Sequence, residues 1–356
     1  PDVSNADAPT VSDNDGNARP GNPATSSSML GGKVTLQPVV TNQTGISITA
    51  TNYDQINGLA AGIAGSGSAA VALSAVVNAI NDTTTATVGA DAKVTASAGN
   101  VNVSAASDVH HLAVAAAVAV SGGGAVAPAV DVTVITNVTT ASLEAGSDVT
   151  ASNGDIVVDA NATEDMLLVG FGIAGAQVGI GGAVSVLVVN NTTTASVAGT
   201  ADAWGNVVVH STDDTDITIV DGAGGFGLGG AGASVGVISL NKTTEAFIAN
   251  SAAEHAVVHA GGHGAGATGV VGTLTGGEDA SGFDTGSVKG VLVEAQSQEN
   301  VFHLNVAAGG GFIGLAGGVT VTTLAGNTHA YIQNADVNWT DHDGTDADQS
   351  VWVNAT

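Results

Sequence analysis

The chain of 356 residues contains no cysteine and only five lysines and arginines in total. Without cysteine, neither disulfide bonds nor thiol chemistry is available. The five cations stand against 32 aspartates and glutamates, which gives a formal net charge of -27 at pH 7. A protein that binds nucleic acid replaces the counterions of the phosphates with Lys and Arg, and five such residues are too few. We therefore expect no nucleic-acid partner.

Aromatic residues make up only 3% of the chain, whereas 44% of the residues are hydrophobic and 51 are glycine. A disordered acidic chain would not carry so many aliphatic side chains. A helical globular enzyme would contain more Leu, Glu, Lys and Arg, and less Gly, Thr and Val. The composition thus argues against both classes.

The sequence begins with Pro1, and no basic segment followed by an apolar core comes after it. We interpret the chain as a processed product or as part of something longer. High negative charge keeps a protein soluble in salty or calcium-rich surroundings, which predicts a secreted, extracellular protein at a cell surface. Residues 167–189 carry no charge, but glycines interrupt them and no cluster of Lys or Arg flanks them. This pattern predicts strands and no membrane insertion.

Two landmarks recur along the chain with the same irregular spacing. The first is a Thr-rich turn leading into alanine and an apolar residue, with steps of 55, 54, 51 and 84 residues between copies. Its aligned alanines are Ala86, Ala141, Ala195, Ala246 and Ala330. The second is a Val-x-Val segment that ends in a small residue, with steps of 55, 55, 51, 84 and 60. Its last residues are Ala50, Ala105, Ala160, Ser211, Ala295 and Ala355. The agreement indicates an internal repeat of about 54 residues, with insertions near 261–288 and 341–349.

Each repeat also contains a pair of apolar stretches around a glycine-rich bend, such as residues 59–80. Larger and small residues alternate there: Val71, Leu73, Ala75 and Val77 interleave with Ala70, Ala72, Ser74 and Val76. Alternation with a period of two predicts strands. Because both faces are apolar, we expect these strands to be buried on both sides. We further expect short strands at the Thr-Ala-x-Val and Val-x-Ala segments and a separate Val-x-Val strand that closes the unit.

These patterns predict an all-β fold, a parallel β-helix or β-solenoid of about five repeats of about 54 residues. The predicted solenoid domain spans residues 32–356, with a partial unit at 32–40. Residues 1–31, which hold four of the six prolines, are interpreted as a linker or a poorly packed N-terminal cap. The predicted repeats are 45–105, 106–160, 161–211, 212–295 with the insertion 261–288, and 296–356.

Residues 60–107 resemble the repeats of very large secreted bacterial filamentous adhesins. The pattern is most similar to the leukotoxin-type filamentous adhesins, which are related in style to filamentous haemagglutinins. The resemblance covers about residues 45–356. It implies secretion, an elongated β-helical body, and a role in surface attachment, self-association or cell contact. No toxic or catalytic motif of that family is matched here, and the two insertions depart from the repeat pattern.

An acidic loop near the C-terminus is the candidate metal site. It contains Asp341, Asp343, Asp346 and Asp348 around Gly344. Calcium takes six to eight oxygen ligands, which alternating aspartates on a turn supply in part, so calcium is the candidate cofactor. The loop is not an EF-hand, and the alternative is a solvated polar insertion.

Weaker acidic candidates for calcium are the clusters at 13–17 and 213–216. Three histidines, His255, His259 and His263, recur every fourth residue, which suits a metal site on a helix. Their surroundings favour a strand followed by a glycine loop, and exposed polar residues are the alternative. The pair His110 and His111 is interpreted as a bend at a strand end.

Asn-x-Thr runs begin at Asn81, Asn137, Asn191 and Asn241. They match N-glycosylation acceptors, but their coincidence with the repeat favours polar ladders along the stack. The five cations, Arg19, Lys33, Lys93, Lys242 and Lys289, are scattered over different elements, so we expect no enzyme.

The predicted function is that of an extracellular structural or adhesive β-solenoid. It would act as a stalk or as a head-to-tail fibre-forming unit of a cell-surface filament or matrix. The alternative is a calcium- or carbohydrate-dependent binding module of a giant adhesin. The expected partners are other copies of the chain, bound head-to-tail or laterally, and a host or neighbouring-cell surface or a polysaccharide. The insertion at 261–288 is the candidate partner-contact loop.

Overall fold

The computed structural model describes residues 10–12, 18–19, 38–39, 44–274, 283–338 and 348–356. The first three strands form a small antiparallel sheet: β1 (Thr10–Ser12), β2 (Ala18–Arg19) and β3 (Pro38–Val39). The rest of the predicted cap at residues 1–31 lies outside the described residues. Within the described part of the chain, no helix has the length and hydropathy to span a membrane.

From Gly45 onward the chain winds in coils of two long strands and one short strand. The first coil contains β4 (Gly45–Ser66), β5 (Ala69–Val71), β6 (Ser74–Val88) and β7 (Lys93–Ala96). The second contains β8 (Asn100–Ser121), β9 (Gly124–Leu143) and β10 (Asp148–Ala151). The third contains β11 (Ile156–Gly175), β12 (Val178–Val197) and β13 (Thr200–Ala203). The fourth contains β14 (Val207–Phe226), β15 (Gly229–Ala249), β16 (Ala256–Ala260) and a hairpin of β17 (Ala267–Leu274) and β18 (Phe283–Val288).

The fifth coil contains β19 (Gly290–Gly310), β20 (Ile313–Gln333) and β21 (Ala335–Val337). One further strand, β22 (Ser350–Ala355), begins the next turn of the stack. Equivalent strands of successive coils pair in parallel and form three sheets. Sheet 1 holds the first long strands, in the order β22-β19-β14-β11-β8-β4. Sheet 2 holds the second long strands, β20-β15-β12-β9 with β5 and β6 at its edge, and sheet 3 holds the short strands, β21-β16-β13-β10-β7.

The register of the sheets follows the two sequence landmarks. Ala141 pairs with Ala86 on one side and with Ala195 on the other. The same row continues through Ala246 to Ala330. The second landmark forms an equivalent row in sheet 1 from Ala50 to Ala355. The parallel β-solenoid predicted from the sequence is therefore confirmed.

A three-sided hydrophobic core lies where the three sheets meet. In the second coil it is formed by Val101 and Val103 of β8, Leu143 of β9 and Val149 of β10, all with no exposed surface. The Val-x-Val segment opens sheet 1 at this corner and continues directly into the first apolar stretch. Val-x-Val and the apolar stretch were predicted as separate strands, and that prediction is wrong: no turn residue divides them, so they form one strand of about twenty residues, as in β11.

Beyond this core, the long strands of sheets 1 and 2 face each other and form an arm. Their inward side chains are large next to the three-sided core, for example Leu187 and Ile217, and small farther out, for example Ala115 and Ala127. A side chain at Gly181 would collide with the backbone carbonyls of Gly172 and Gly224, so the two sheets approach too closely for larger residues. In this far part of the arm the larger residues of the alternation therefore point outward. The expectation that these strands are buried on both faces is wrong, because their outer faces are open in a single chain.

The predicted insertion at 261–288 contains the antiparallel hairpin β17–β18. Residues 275–282 lie outside the described residues. The hairpin packs on the outer face of sheet 1 at β19. The backbone N–H of Val270 donates to the Glu294 carboxylate at 2.5 Å. The insertion thus covers one patch of the solenoid wall; a contact with a partner stays a prediction.

The alanine row predicts how tightly the three-sided core is packed. We expect Ala195→Leu to lower the free energy of unfolding by about 1–3 kcal/mol, because the site is fully buried between Ala141 and Ala246 and extra methylenes force strain. The next residue, Ser196, points outward, so Ser196→Leu is the matched control and should change it by less than about 0.5 kcal/mol. Urea unfolding followed by circular dichroism measures both. Equal losses would contradict the inward position of Ala195.

Candidate functional site

Polar side chains interrupt the hydrophobic interior between the three-sided core and the arm. They occupy inward positions of sheets 1 and 2 in successive coils, and we call this row the polar seam. Its members are Ser107, Asn137, Glu164, Asp213, Thr215, Lys242 and Glu299. All except Glu299 are buried. Because the strands are stacked in register, each polar side chain of the seam lies directly over the equivalent side chain of the next coil.

Lys242 is the centre of the seam and has no exposed surface. Its Nζ lies 2.7 Å from Asp213 Oδ1 and 3.1 Å from Glu299 Oε1. It also donates to the backbone carbonyls of Asp213 and Gln298, at 3.1 and 3.0 Å. Burial disfavours the ammonium, but the neighbouring carboxylates outweigh this effect and raise the pKa of Lys242 above its usual value. The side chain is therefore a fully satisfied cation.

Glu164 lies one coil away from Lys242 and is also fully buried. Its carboxyl group accepts hydrogen bonds from Asn137 Nδ2 at 2.6 Å and from Thr215 Oγ1 at 3.0 Å. Desolvation raises the pKa of Glu164 well above its usual value, and the charge of Asp213 raises it further. Burial thus favours the neutral acid at this position.

Hydrogen bonds connect the seam across four coils. Ser107 Oγ donates to Asn137 Oδ1 at 3.1 Å, and Asn137 reaches Glu164 of the next coil. Thr215 bridges Glu164 and Asp213, which in turn holds Lys242. Because the central groups have no access to solvent, a substrate could not reach them. The arrangement is suited to fixing the order and register of the coils.

A second inward polar row lies farther along the arm. Asp131 of β9 belongs to this row and is fully buried. Its burial raises its pKa to about 7. Burial likewise raises the pKa of Asp221 to about 6, although Ser185 Oγ donates to it at 2.6 Å. His111 contacts Thr133 Oγ1 at 3.0 Å, and its burial lowers its pKa to about 4. Between about pH 4 and pH 6 this row is therefore poor in charge although it is rich in ionisable groups, and its carboxyl groups ionise as the pH rises towards 7.

The His110–His111 pair lies within strand β8, so the predicted bend is wrong. His111 points inward, whereas His110 points outward between Asp108, at 3.1 Å, and Asp165, at 3.5 Å. Burial opposes the charged imidazole, but hydrogen bonds with the two carboxylates raise its pKa to about 9. On the same face His210 lies 2.8 Å from Asp159, which raises its pKa as well. His110 is therefore charged near neutral pH and offsets the two carboxylates beside it.

The predicted calcium loop is described only at its end. Asp341, Asp343 and Asp346 lie outside the described residues, as does the weaker candidate at 13–17. Asp348 is exposed in a turn before β22. Calcium binding by this loop stays a prediction.

The other candidate at 213–216 does not form a calcium site. Asp213 points inward and pairs with Lys242, while Asp216 lies exposed on the outer face. Alternate residues of a strand face opposite sides of the sheet, so these carboxylates cannot converge on one ion.

The structure does not bring the three spaced histidines together. His255 lies 3.3 Å from Asp336, and His263 stacks on Trp204 with ring centroids 4.7 Å apart. His259 lies within β16. Over the described ranges, no cluster of three or more His, Asp or Glu side chains has a geometry that could hold a metal ion.

The four Asn-x-Thr runs do not occupy one structural position. Asn137 and Asn191 pair in register and are buried, whereas Asn241 pairs with Asn190 and is exposed. The inward position next to Asn191 is filled by Lys242. The prediction of one ladder of asparagines through every coil is therefore wrong, although Asn137 and Asn191 stack. Their burial makes both residues unsuitable for a glycan.

The central role of Lys242 was missed in the sequence, where it counted only as one of five scattered cations. A signal was available. Lys242 lies four residues before Ala246, as Asn137 lies before Ala141 and Asn191 before Ala195. That spacing places all three on the same inward row.

Comparison with family models, with curated proteins and with solved structures finds no match to this chain.

Removal of the seam cation tests its structural role. We expect Lys242→Met to lower the free energy of unfolding by about 3–5 kcal/mol, because it leaves Asp213 buried without its counter-ion. Lys93→Met is the matched control: Lys93 forms a 2.9 Å ion pair with Asp148, but the pair is largely exposed. Its loss should change the free energy by about 1 kcal/mol or less. Similar unfolding curves for the two variants would contradict this role.

Asp131 predicts a pH dependence of stability. Burial raises its pKa from 3.8 to about 7. The contribution of this group to the free energy of unfolding is therefore full below about pH 4 and is lost as the pH rises to about 7. We expect Asp131→Asn to gain stability relative to the wild type over that interval. Asp202→Asn, on the outer side of β13, is the control. Denaturant unfolding at several pH values measures the difference, and a constant difference would refute the prediction.

Proposed function

We propose that the chain is a structural β-solenoid that serves as a stalk or filament segment and lengthens by adding coils end to end. The observation that carries this proposal is the unbroken parallel pairing of three sheets through every described coil. Such stacking has no natural stopping point, since each coil offers the next the same row of backbone groups and inward side chains.

The N-terminal end of the stack presents open strand edges. Among the described strands, β4 pairs only with β8, and β5 and β6 pair only with β9. Since no other described strand pairs with the far side of β4, β5 or β6, a further coil could pair with the backbone groups there.

Within the described residues, the C-terminal end of the stack is open in the same way. β22 pairs only with residues 290–295 of β19, and β20 pairs only with β15 within the described part of the chain. The inward side chain of Leu324 is 54% exposed here, although its partner in the preceding coil, Leu240, is buried. Another coil on this end would bury Leu324 as β20 buries Leu240. A second copy stacked head to tail supplies such a coil.

The geometry of the coils explains why stacking is needed for a long rod. Neighbouring parallel strands lie about 4.8 Å apart, so five coils advance by only about 24 Å along the axis. A rod that projects from a cell surface is much longer than this. Repeated stacking supplies that length.

We further propose an extracellular location and an adhesive role towards a host or neighbouring-cell surface or a polysaccharide. The support is the excess of carboxylates in a chain without cysteine. Adhesion would be exerted by the assembled filament rather than by a cleft, since the ionisable groups of the polar seam are enclosed within the coils.

End-to-end stacking predicts an effect of charge at the open end. We expect Leu324→Lys to reduce wild-type filaments to short rods, because a stacked coil would bury the new ammonium without a partner. Asn327→Lys, outward on the same strand, is the matched control and should leave filament length unchanged. Negative-stain electron microscopy measures length. A wild-type chain that never exceeds single rods, or equal lengths for the two variants, would overturn the proposal.

A further inference from the structure

The outer face of sheet 2 is apolar over the whole arm. Five outward positions in each of five successive coils form this surface, which we call the valine face. They are the alternate residues of 71–79, 126–134, 180–188, 231–239 and 315–323. Valine fills about half of these positions, and none of them carries an Asp, Glu, Lys or Arg.

Equivalent residues on the valine face form continuous rows along the stack. One row consists of valine in every coil: Val77, Val132, Val186, Val237 and Val321. The row beside it contains Val130, Val184, Val235 and Val319. Rows of β-branched side chains on a parallel sheet give a regular, ridged surface.

A groove runs beside these ridges where the outward residues are small. Gly182, Ala233 and Gly317 pair with one another across three coils. Ala233 and Gly317 of this row, with Ile180, Ala231 and Leu315 of the adjoining row, line a groove of about 280 Å³. A ridge one methyl group high on another sheet would fit into such a groove, so the face is complementary to itself in shape.

The valine face is too large and too apolar for an ordinary monomer surface. In the central coils Val126 is 38% exposed, Val134 39% and Ile180 46%. Five strands about 4.8 Å apart and about 30 Å of each strand give an area of about 700 Å². Contiguous apolar patches of this size mark interaction sites.

Charge restricts what can approach this surface. The chain has a net charge of -27, so two copies repel each other over most orientations. The valine face is uncharged, and here two copies can come into contact without bringing carboxylates together. An area of about 700 Å² per copy is close to the roughly 800 Å² that a standard stable interface uses on each side.

We propose that the valine face binds the valine face of a second copy, so that rods associate laterally in pairs. The two sheets pack face to face at the usual distance of about 10 Å, with ridges of one copy in the groove of the other. The same patch contributes from both sides, as in an isologous dimer. In a filament of the kind proposed above, on which this step builds, the contact repeats along the rod and is strengthened by its multiplicity.

The test introduces one charge at the centre of the valine face. We expect Val186→Lys to raise the dissociation constant of the lateral pair at least about 30-fold, the effect of a hot-spot residue at an interface centre. Thr192→Lys places the same charge on the same face of the same strand, beyond the valine rows, and Val169→Lys places it on the opposite sheet. Both controls should pair like the wild type in sedimentation velocity. Pairing that is equally weak in all three variants would overturn the proposal.

Folding and axial stacking are followed separately from pairing. Circular dichroism checks the fold; if Val186→Lys does not fold, the triple exchange Val132→Thr, Val186→Thr and Val237→Thr keeps the β-branched shape and should still weaken pairing. Electron microscopy separates the two assemblies, because lateral pairing sets the width of the particles and axial stacking sets their length. Thin filaments from Val186→Lys would support the lateral contact. Short paired rods from the wild type would contradict axial stacking and leave the lateral contact supported.

A lipid surface is the competing occupant, and flotation with phosphatidylcholine vesicles tests it. We expect the wild type not to float with the vesicles. A wild type that stays a single rod at every concentration, yet floats with vesicles and loses this binding in Val186→Lys, would overturn pairing in favour of lipid.

Discussion

The fold depends on one constraint, the in-register backbone pairing between successive coils. β11 pairs with β8 on one side and with β14 on the other over twenty residues without a shift. Because the strands lie about 4.8 Å apart, each side chain packs mainly against its equivalent in the coils above and below. A single coil would expose a row of unpaired backbone groups on each side, so no coil is expected to be stable alone.

The same constraint determines the chemistry of the interior, since a residue that repeats must tolerate its own kind as a neighbour. The polar seam meets this requirement by interleaving acids with neutral groups: in sheet 1, Thr215 separates Glu164 from Glu299. Lys242 neutralises two carboxylates from neighbouring coils. A buried ion pair is weak evidence for stability, but a slip of one residue would turn Lys242 outward and leave Asp213 unpaired. The seam therefore contributes to the choice of register.

The register of the coils could be predicted from the sequence, whereas the orientation of the strand faces could not. The spacing of Ala86, Ala141 and Ala195 gave the pairing correctly because stacked coils must repeat their small core residues. Strand divisions were wrong because no glycine or proline separates the Val-x-Val segment from the apolar stretch in β11. Spacing alone also cannot say which face of a doubly apolar strand is inside; the close approach at Gly181 decides that, and it depends on the neighbouring coil. Lys242 was missed because a lone cation has no pattern until the repeats are aligned to the residue.

The far part of the arm, beyond the leucines and isoleucines next to the three-sided core, reverses the usual distribution of side chains, and this reversal connects the interior to assembly. Asp131 and Asp221 lie inside it with no exposed surface, while valines of the same strands face outward. Both features are unfavourable for a solitary soluble chain. Buried carboxyl groups lose their hydration, and exposed rows of valine place apolar surface in water. Once the valine rows are covered by another sheet, the outward residues become a second core, and the small inward residues allow two thin layers to stack. The thin arm thus has the shape expected of one layer in a stack of packed β-sheets. The excess negative charge of the chain lies outside the valine face.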